Sequence, residues 1–355
     1  MFDERTLTLL LPGDPLTATG GYEYDRRMLA GLRQLGWSAQ VGALDSSFPI
    51  PTPAALADAQ RQLSALPAQS LVLIDGLALG AMPDVVHAHK DRLRMVGLVH
   101  HPLAAETGLP PDLARELFIS ERRALQSMRL IVVTSQRTRN ALADYDVAAD
   151  RMVVVEPGVD RAHAADGRVD DAAASMRMLC VATITERKGH DLLIDALSEL
   201  RDQSWTLTCV GSVDRSPAIV RALKMQIQTL GLQDRVVLTG ELDEATLQRQ
   251  FRAANLFVLA TRYEGYGMAV AQALVHGLPI ISTRTGAIEE LVPPEAGMLV
   301  EPGDRAGLRA ALSRVLVDAD LRRRLADGAR RRGTRLPDWR VAAERMSEGL
   351  AGALR

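Results

Sequence analysis

Short, nearly continuous apolar runs alternate with amphipathic stretches from one end of this chain to the other, and that alternation limits the fold more than any other feature. The clearest apolar runs are 6–11 (TLTLLL), 71–74, 95–99, 130–134, 152–155, 178–183, 206–210, 236–239, 256–260, 279–282 and 298–300, with a weaker one at 39–43. Between them lie stretches of helical period such as Tyr22–Leu35, Asp191–Leu200, Asp243–Ala254 and Ala306–Val317. An apolar run without alternation is a strand covered on both faces, which requires parallel sheets with helices on each side. The pattern pauses once. Residues 157–175, PGVDRAHAADGRVDDAAAS, are polar and lack an apolar period, so they read as a linker with about six strands on each side. The expectation is an α/β chain of two doubly wound, Rossmann-like domains facing a central cleft, with ligands at the carboxyl ends of both sheets. The boundaries are a first domain at 1–160, a linker at 161–176, a second domain at 177–335, and a tail at 336–355 whose helix, from Trp339, packs back across the hinge.

Composition removes several classes. The formal net charge of -2, from 42 basic and 44 acidic residues, argues against a large nucleic-acid face. No apolar run approaches the ~18 residues of a transmembrane segment. The opening MFDERTLTLLLPGD lacks the basic start and long apolar core of a secretory signal. Two cysteines, Cys180 and Cys209, are too few for a disulfide framework, so a cytoplasmic location is the expectation. Only three of the 42 basic residues are lysines, Lys90, Lys188 and Lys224, so a lysine here stands against the local habit.

Four places carry chemistry. Gly20 and Gly21 lie directly before the first helix, either as a tight turn or as a close approach for an anionic ligand at the helix N-terminus. His100 and His101 end a strand, where open α/β sheets bind ligands. Being adjacent in an extended chain, they point to opposite sides. No Cys, Asp or Glu stands at ligand spacing beside them, so no metal is expected. The turn Arg187-Lys188-Gly189 sits between a strand and a helix and suits a phosphate. The densest stretch is 260–292, where RYEGYG, with Glu264, Gly265 and Gly267, follows one strand and TRTG follows the next. Two successive strand ends with glycine-bearing loops and helix N-termini can cradle a phosphate, and Glu264 can accept hydrogen bonds from ligand hydroxyls. Asp318-Ala319-Asp320 lies between two helical stretches and reads as a helix N-cap. A nicotinamide dinucleotide fingerprint, GxGxxG, is absent, which removes the oxidoreductase reading.

The stretch Glu264-Gly265-Tyr266-Gly267, Gln272, Gly277-Leu278-Pro279 resembles the nucleotide-sugar site of retaining GT-B glycosyltransferases of family 4. Gly20-Gly21, His100-His101, VVTS at 132–135, VVEPGVD at 154–160, RKG at 187–189 and LTGEL at 238–242 fall in that family's order. The resemblance implies a GT-B fold and a metal-independent transfer of sugar from a nucleotide-sugar to an acceptor the sequence does not identify, with retention and without a cofactor. It implies that Lys188 and Arg187, with the backbone at Tyr266, Gly267 and Met268, bind the donor diphosphate, and that Gly20 and Gly21 let the acceptor side approach it. Glu264 would hold sugar hydroxyls, His100 or His101 would contact the transferred sugar, Gln272 would reach the ribose, and Gly240, Glu241 and Leu242 would line the base.

Two positions depart from the family pattern. Gln272 stands where the family has a second Glu, and Ala182-Thr183 stand where it often has Gly-Arg, leaving Arg187 as the substitute cation. The same fold also serves sugar-nucleotide epimerases and hydrolases, and a nucleotide-sugar-binding protein of little activity is the third reading. Some relatives touch membranes through basic, apolar patches, so peripheral association with an inner membrane surface stays open, with Arg122, Arg123, Arg129, Arg137 and Arg139 as the candidates.

Overall fold

A computed structural model describes residues 5–17, 19–161 and 175–354. Its contacts group Met1–Gly158 with Pro337–Arg355 as one unit and Val159–Leu336 as another. Of the linker expected at 161–176, residues 162–174 lie outside those described.

The first unit is a parallel sheet of β1 (Thr6–Pro12), β2 (Ser38–Leu44), β3 (Leu71–Asp75), β4 (Arg94–Val99), β5 (Leu130–Val133) and β6 (Met152–Val154), in the order β2-β1-β3-β4-β5-β6. All five residues of β3 are buried, as a strand covered on both faces requires. Each such Leu, Ile or Val contributes roughly 1.5–3 kcal/mol by leaving water. Because β1 lies between β2 and β3, successive connections leave β1 and β3 in opposite directions. Their carboxyl ends form the switch point where doubly wound sheets take ligands.

Helix Gly20–Gln34 follows β1, and the Thr19 side chain caps it by accepting from the Tyr22 amide. Gly20 and Gly21, expected before the helix, therefore form its first turn. The C-terminal helix Trp339–Leu354 packs on this same helix. A Cβ on Gly31 would come within 2.4 Å of the Ala343 Cβ, so glycine sets the closeness of the crossing. Trp37 Nε1 donates to Ser347 Oγ at 2.8 Å, and the Arg27 guanidinium lies over the Trp339 ring.

The second unit holds β7 (Met176–Val181), β8 (Trp205–Val210), β9 (Val236–Gly240), β10 (Leu256–Leu259), β11 (Ile280–Thr283) and β12 (Gly297–Val300), all parallel, in the order β12-β11-β10-β7-β8-β9. Its switch point lies between β7 and β10. β7 starts two residues earlier and ends two earlier than the apolar run 178–183, so Thr183 belongs to the following loop. Cys180 and Cys209 are register partners on β7 and β8 and are buried. Asp318 is the N-cap of Ala319–Gly333, accepting from the Leu321 amide at 2.8 Å.

Candidate functional site

The carboxyl ends of β7, β10 and β11 are stitched to one another. After β7 the chain makes a helical turn, Glu186–Lys188, and reaches Gly189 at φ +66° before helix His190–Ser198. A Cβ on Gly189 would lie 2.0 Å from the Ala260 carbonyl oxygen, so only glycine lets this turn sit against the end of β10. The Arg262 amide and the Thr261 hydroxyl both donate to the Arg187 carbonyl, at 2.7 and 3.1 Å. The Arg187 guanidinium donates to the Tyr263 carbonyl at 3.0 Å, so part of the expected diphosphate cation is used to hold the glycine-rich loop. From the other side, the Thr285 hydroxyl donates to the Arg262 carbonyl at 3.2 Å, and a Cβ on Gly286 would overlap the Glu264 carbonyl oxygen.

Across this switch point Lys188 Nζ donates to Glu264 Oε2, with each side chain only 14% exposed. A compact ammonium and a carboxylate, drawn from two loops 76 residues apart, thus neutralise one another where the strand order reverses. Gly267, at φ +97°, caps the helix Met268–Val275 that leads away from the loop, and the Tyr266 side chain is buried beneath it. Lys188, Arg187, Glu264, Tyr266, Gly267 and Met268 are therefore assembled by two adjoining loops. Gly240, Glu241 and Leu242 lie at the same carboxyl edge on the far side of β8, Gly240 at φ +76° and Glu241 exposed. Gln272, one turn into its helix, binds the backbone of Asp160 with both ends of its amide. Nε2 donates to the Asp160 carbonyl at 3.0 Å, and Oε1 accepts from the Asp160 amide at 3.2 Å.

In the first unit, His100 and His101 follow β4 and point apart, as an extended chain dictates. His101 Nε2 lies 3.3 Å from Glu106 Oε2. His100 Nε2 lies 3.5 Å from Asp25 Oδ1 and 3.5 Å from Asp75 Oδ2. The two carboxylates come from helix Gly20–Gln34 and from the end of β3. They correct the expectation that no acid stands beside the histidines: Glu106 reaches His101 from five residues on, and the topology brings two more to His100. The first helical turn lies against the same ring, since a Cβ on Gly21 would be 3.5 Å from its Cδ2 and Nε2. Burial alone would lower the His100 pKa, but Asp25 and Asp75 outweigh it and raise it. Burial, and then Asp25, push Asp75 up to about 7.

Both acids left a trace in the sequence. Asp25 falls on the buried stripe of its helix with Met28, Leu29 and Leu32, and Asp75 closes a wholly buried strand. An acid on an apolar stripe is a signal.

Among the described residues no helix is long and apolar enough to cross a membrane.

A family model for glycosyl transferases group 1 matches residues 175–318, and one for glycosyltransferase family 4 matches residues 26–163. The MMP alpha-(1->4)-mannosyltransferase of Mycolicibacterium hassiacum is 29% identical over 71% of this chain and 64% of its own length. The D-inositol 3-phosphate glycosyltransferase of Xylanimonas cellulosilytica is 27% identical over 70% of this chain and 63% of its own length. The chain thus spans less than two thirds of the length of these curated relatives. Among solved structures, sucrose-phosphate synthase from Thermosynechococcus elongatus superposes with a TM-score of 0.81 at 21% identity, covering 97% of this chain and 98% of the other. Anabaena Alr3699/HepE, in complex with UDP and glucose, superposes with a TM-score of 0.74 at 18% identity, covering 97% and 98%.

Proposed function

Because this chain belongs to the group 1, family 4 glycosyltransferases and has their GT-B fold of two parallel six-stranded sheets, we propose that it moves a hexose from a nucleotide-sugar donor to a hydroxyl acceptor, with retention at the anomeric carbon and without a metal ion. The observation that carries the reading is the Lys188–Glu264 pair across the switch point of the second sheet. Lys188, with the amides that open helix Met268–Val275, takes the donor diphosphate. Once the ammonium turns to phosphate, Glu264 is left to hold sugar hydroxyls. Gly240, Glu241 and Leu242 face the base. Gln272, tied to Asp160, has one amide hydrogen and one lone pair left for a ribose hydroxyl. On the first unit, His100 and His101 are assigned to the transferred sugar, and Gly20 and Gly21 to the acceptor side.

In the reaction the bond between the anomeric carbon and the phosphate oxygen breaks, and the acceptor oxygen bonds that carbon on the same face. The acceptor proton passes to the leaving diphosphate. Negative charge gathers on that diphosphate in the transition state, where Lys188 and the helix N-terminus stabilise it.

The test presents the protein with UDP-, GDP- and ADP-hexoses plus a panel of hydroxyl acceptors, in excess EDTA. Nucleoside diphosphate release and the anomeric proton coupling of the product are followed. Transfer with retention in EDTA is expected. Inverted product, activity that EDTA abolishes and manganese restores, or epimerised donor without acceptor would contradict the proposal.

A further inference from the structure

Two buried carboxylates at the switch point of the first sheet have no part in the chemistry just described. Asp25 is 2% exposed and Asp75 1% exposed. A carboxylate away from water is costly unless it is paired or hydrogen-bonded. Asp75 Oδ1 accepts from the Leu77 amide at 2.9 Å, whereas among the described residues neither the Asp25 oxygens nor His100 Nε2 has a hydrogen bond shorter than the 3.5 Å approach between them. What the two acids share is His100 Nε2, 3.5 Å from each, and one polar atom from each of the three groups lies within 4.8 Å of the others.

Among the described residues the other neighbours of the imidazole add no positive charge. Helix Gly20–Gln34 brings the Tyr24 ring edge-on, at 5.3 Å between centroids, and the bare backbone of Gly21. The Thr134 and Thr138 hydroxyls donate to the His100 carbonyl, at 3.2 Å each, and His101 turns to Glu106. The start of that helix, lying against the ring, disfavours a cation, so the two acids are what favours a charged imidazole.

We propose that Asp25 and Asp75 are positioning residues for His100: their carboxylates hold Nε2 and its proton, fix the ring, and leave Nδ1 as the nitrogen that meets a ligand. Resting on the assignment of His100 to the transferred sugar, this makes Nδ1–H a charged donor to a sugar oxygen. The raised pKa of His100 accords with it, and His100 in turn draws the Asp75 carboxyl down against the burial and the Asp25 charge that raise it.

The test labels histidine Cε1 with carbon-13 and titrates the whole protein by NMR, with the His100 signal assigned from a His100→Gln spectrum. The wild-type midpoint should lie above the ordinary value of about 6.5. Asp25→Asn and Asp75→Asn should each lower it by about one unit or more, as loss of a nearby opposite charge does. The alkaline limb of kcat should move down with it while the donor KM changes little. Should Asp25→Asn fail to fold, Asp75→Asn carries the same test. An unmoved midpoint in the folded variants would overturn the proposal. So would a stoichiometric divalent metal retained by the dialysed wild type, which would make the acids ligands. The titration needs no turnover, so a shifted midpoint in a protein inactive on every donor would overturn the transferase reading and leave the clamp standing.

Discussion

Replacing Gln272 by Glu restores the residue that the family pattern has, and the structure says that it should harm this protein. The Gln272 amide meets the Asp160 backbone twice, as donor at 3.0 Å and acceptor at 3.2 Å. A carboxylate can still accept from the Asp160 amide. Its second oxygen then faces the Asp160 carbonyl oxygen, so one hydrogen bond is lost and two acceptors are opposed in a half-buried place. Loss of the bond costs about 1 kcal/mol, and setting a charged oxygen against the carbonyl oxygen raises the total to about 2 kcal/mol. For a unit the size of Val159–Leu336 that corresponds to a melting temperature lower by roughly 4–8 °C. Differential scanning calorimetry at pH 7.5 reads it. Repetition near pH 4.5 should recover part of the loss, because a protonated Glu can donate to the Asp160 carbonyl again. A Gln272→Glu protein as stable as wild type at pH 7.5 would refute the reasoning, because the amide would then not be needed where it is.

Two further outcomes are expected. Lys188→Ala should weaken binding of a nucleoside diphosphate by about 1.5–3 kcal/mol and leave the parent nucleoside almost unaffected, since a charge-assisted phosphate contact is lost; calorimetry with both ligands checks it, and equal losses would remove the phosphate role. Burial pushes the Glu121 carboxyl up to about 8 from an ordinary 4.5, so the unfolded chain ionises first and stability falls as pH rises between those values. Glu121→Gln keeps an acceptor for the Leu103 amide, so its melting curve should match wild type below pH 4.5 and rise above it by pH 8.

The strands were legible because each is a nearly unbroken apolar run, and the second sheet departs from that reading only at its ends. At β7 the exposed Arg177 hides the start, and the β-branched Thr183 prolongs the apparent run past Val181. The loops at 187–189 and 264–267 were legible because Gly189 and Gly267 need positive φ, a demand that glycine meets cheaply and that shows in the sequence. The His100 cluster was not, because Asp25 and Asp75 reach it through the order in which β1, β3 and β4 lie side by side. Gln272 is a further case. Its partner stands 112 residues away and offers only backbone, which no residue pattern reveals. Local geometry is written in residue types, whereas these contacts follow from topology.

The central claim is that Lys188 and Glu264 divide a nucleotide-sugar between them, the lysine taking the diphosphate and the carboxylate taking the sugar. It is tested most directly by isothermal titration of the wild type and of Glu264→Gln, each with the hexose nucleotide that stabilises the wild type most and with the matching nucleoside diphosphate. The account predicts that the wild type binds the sugar nucleotide more tightly than the diphosphate alone, and that Glu264→Gln shrinks this difference by about 1.5–3 kcal/mol while diphosphate binding does not weaken. A Glu264→Gln protein that keeps the full difference, or a wild type that binds no UDP-, GDP- or ADP-hexose, would contradict it.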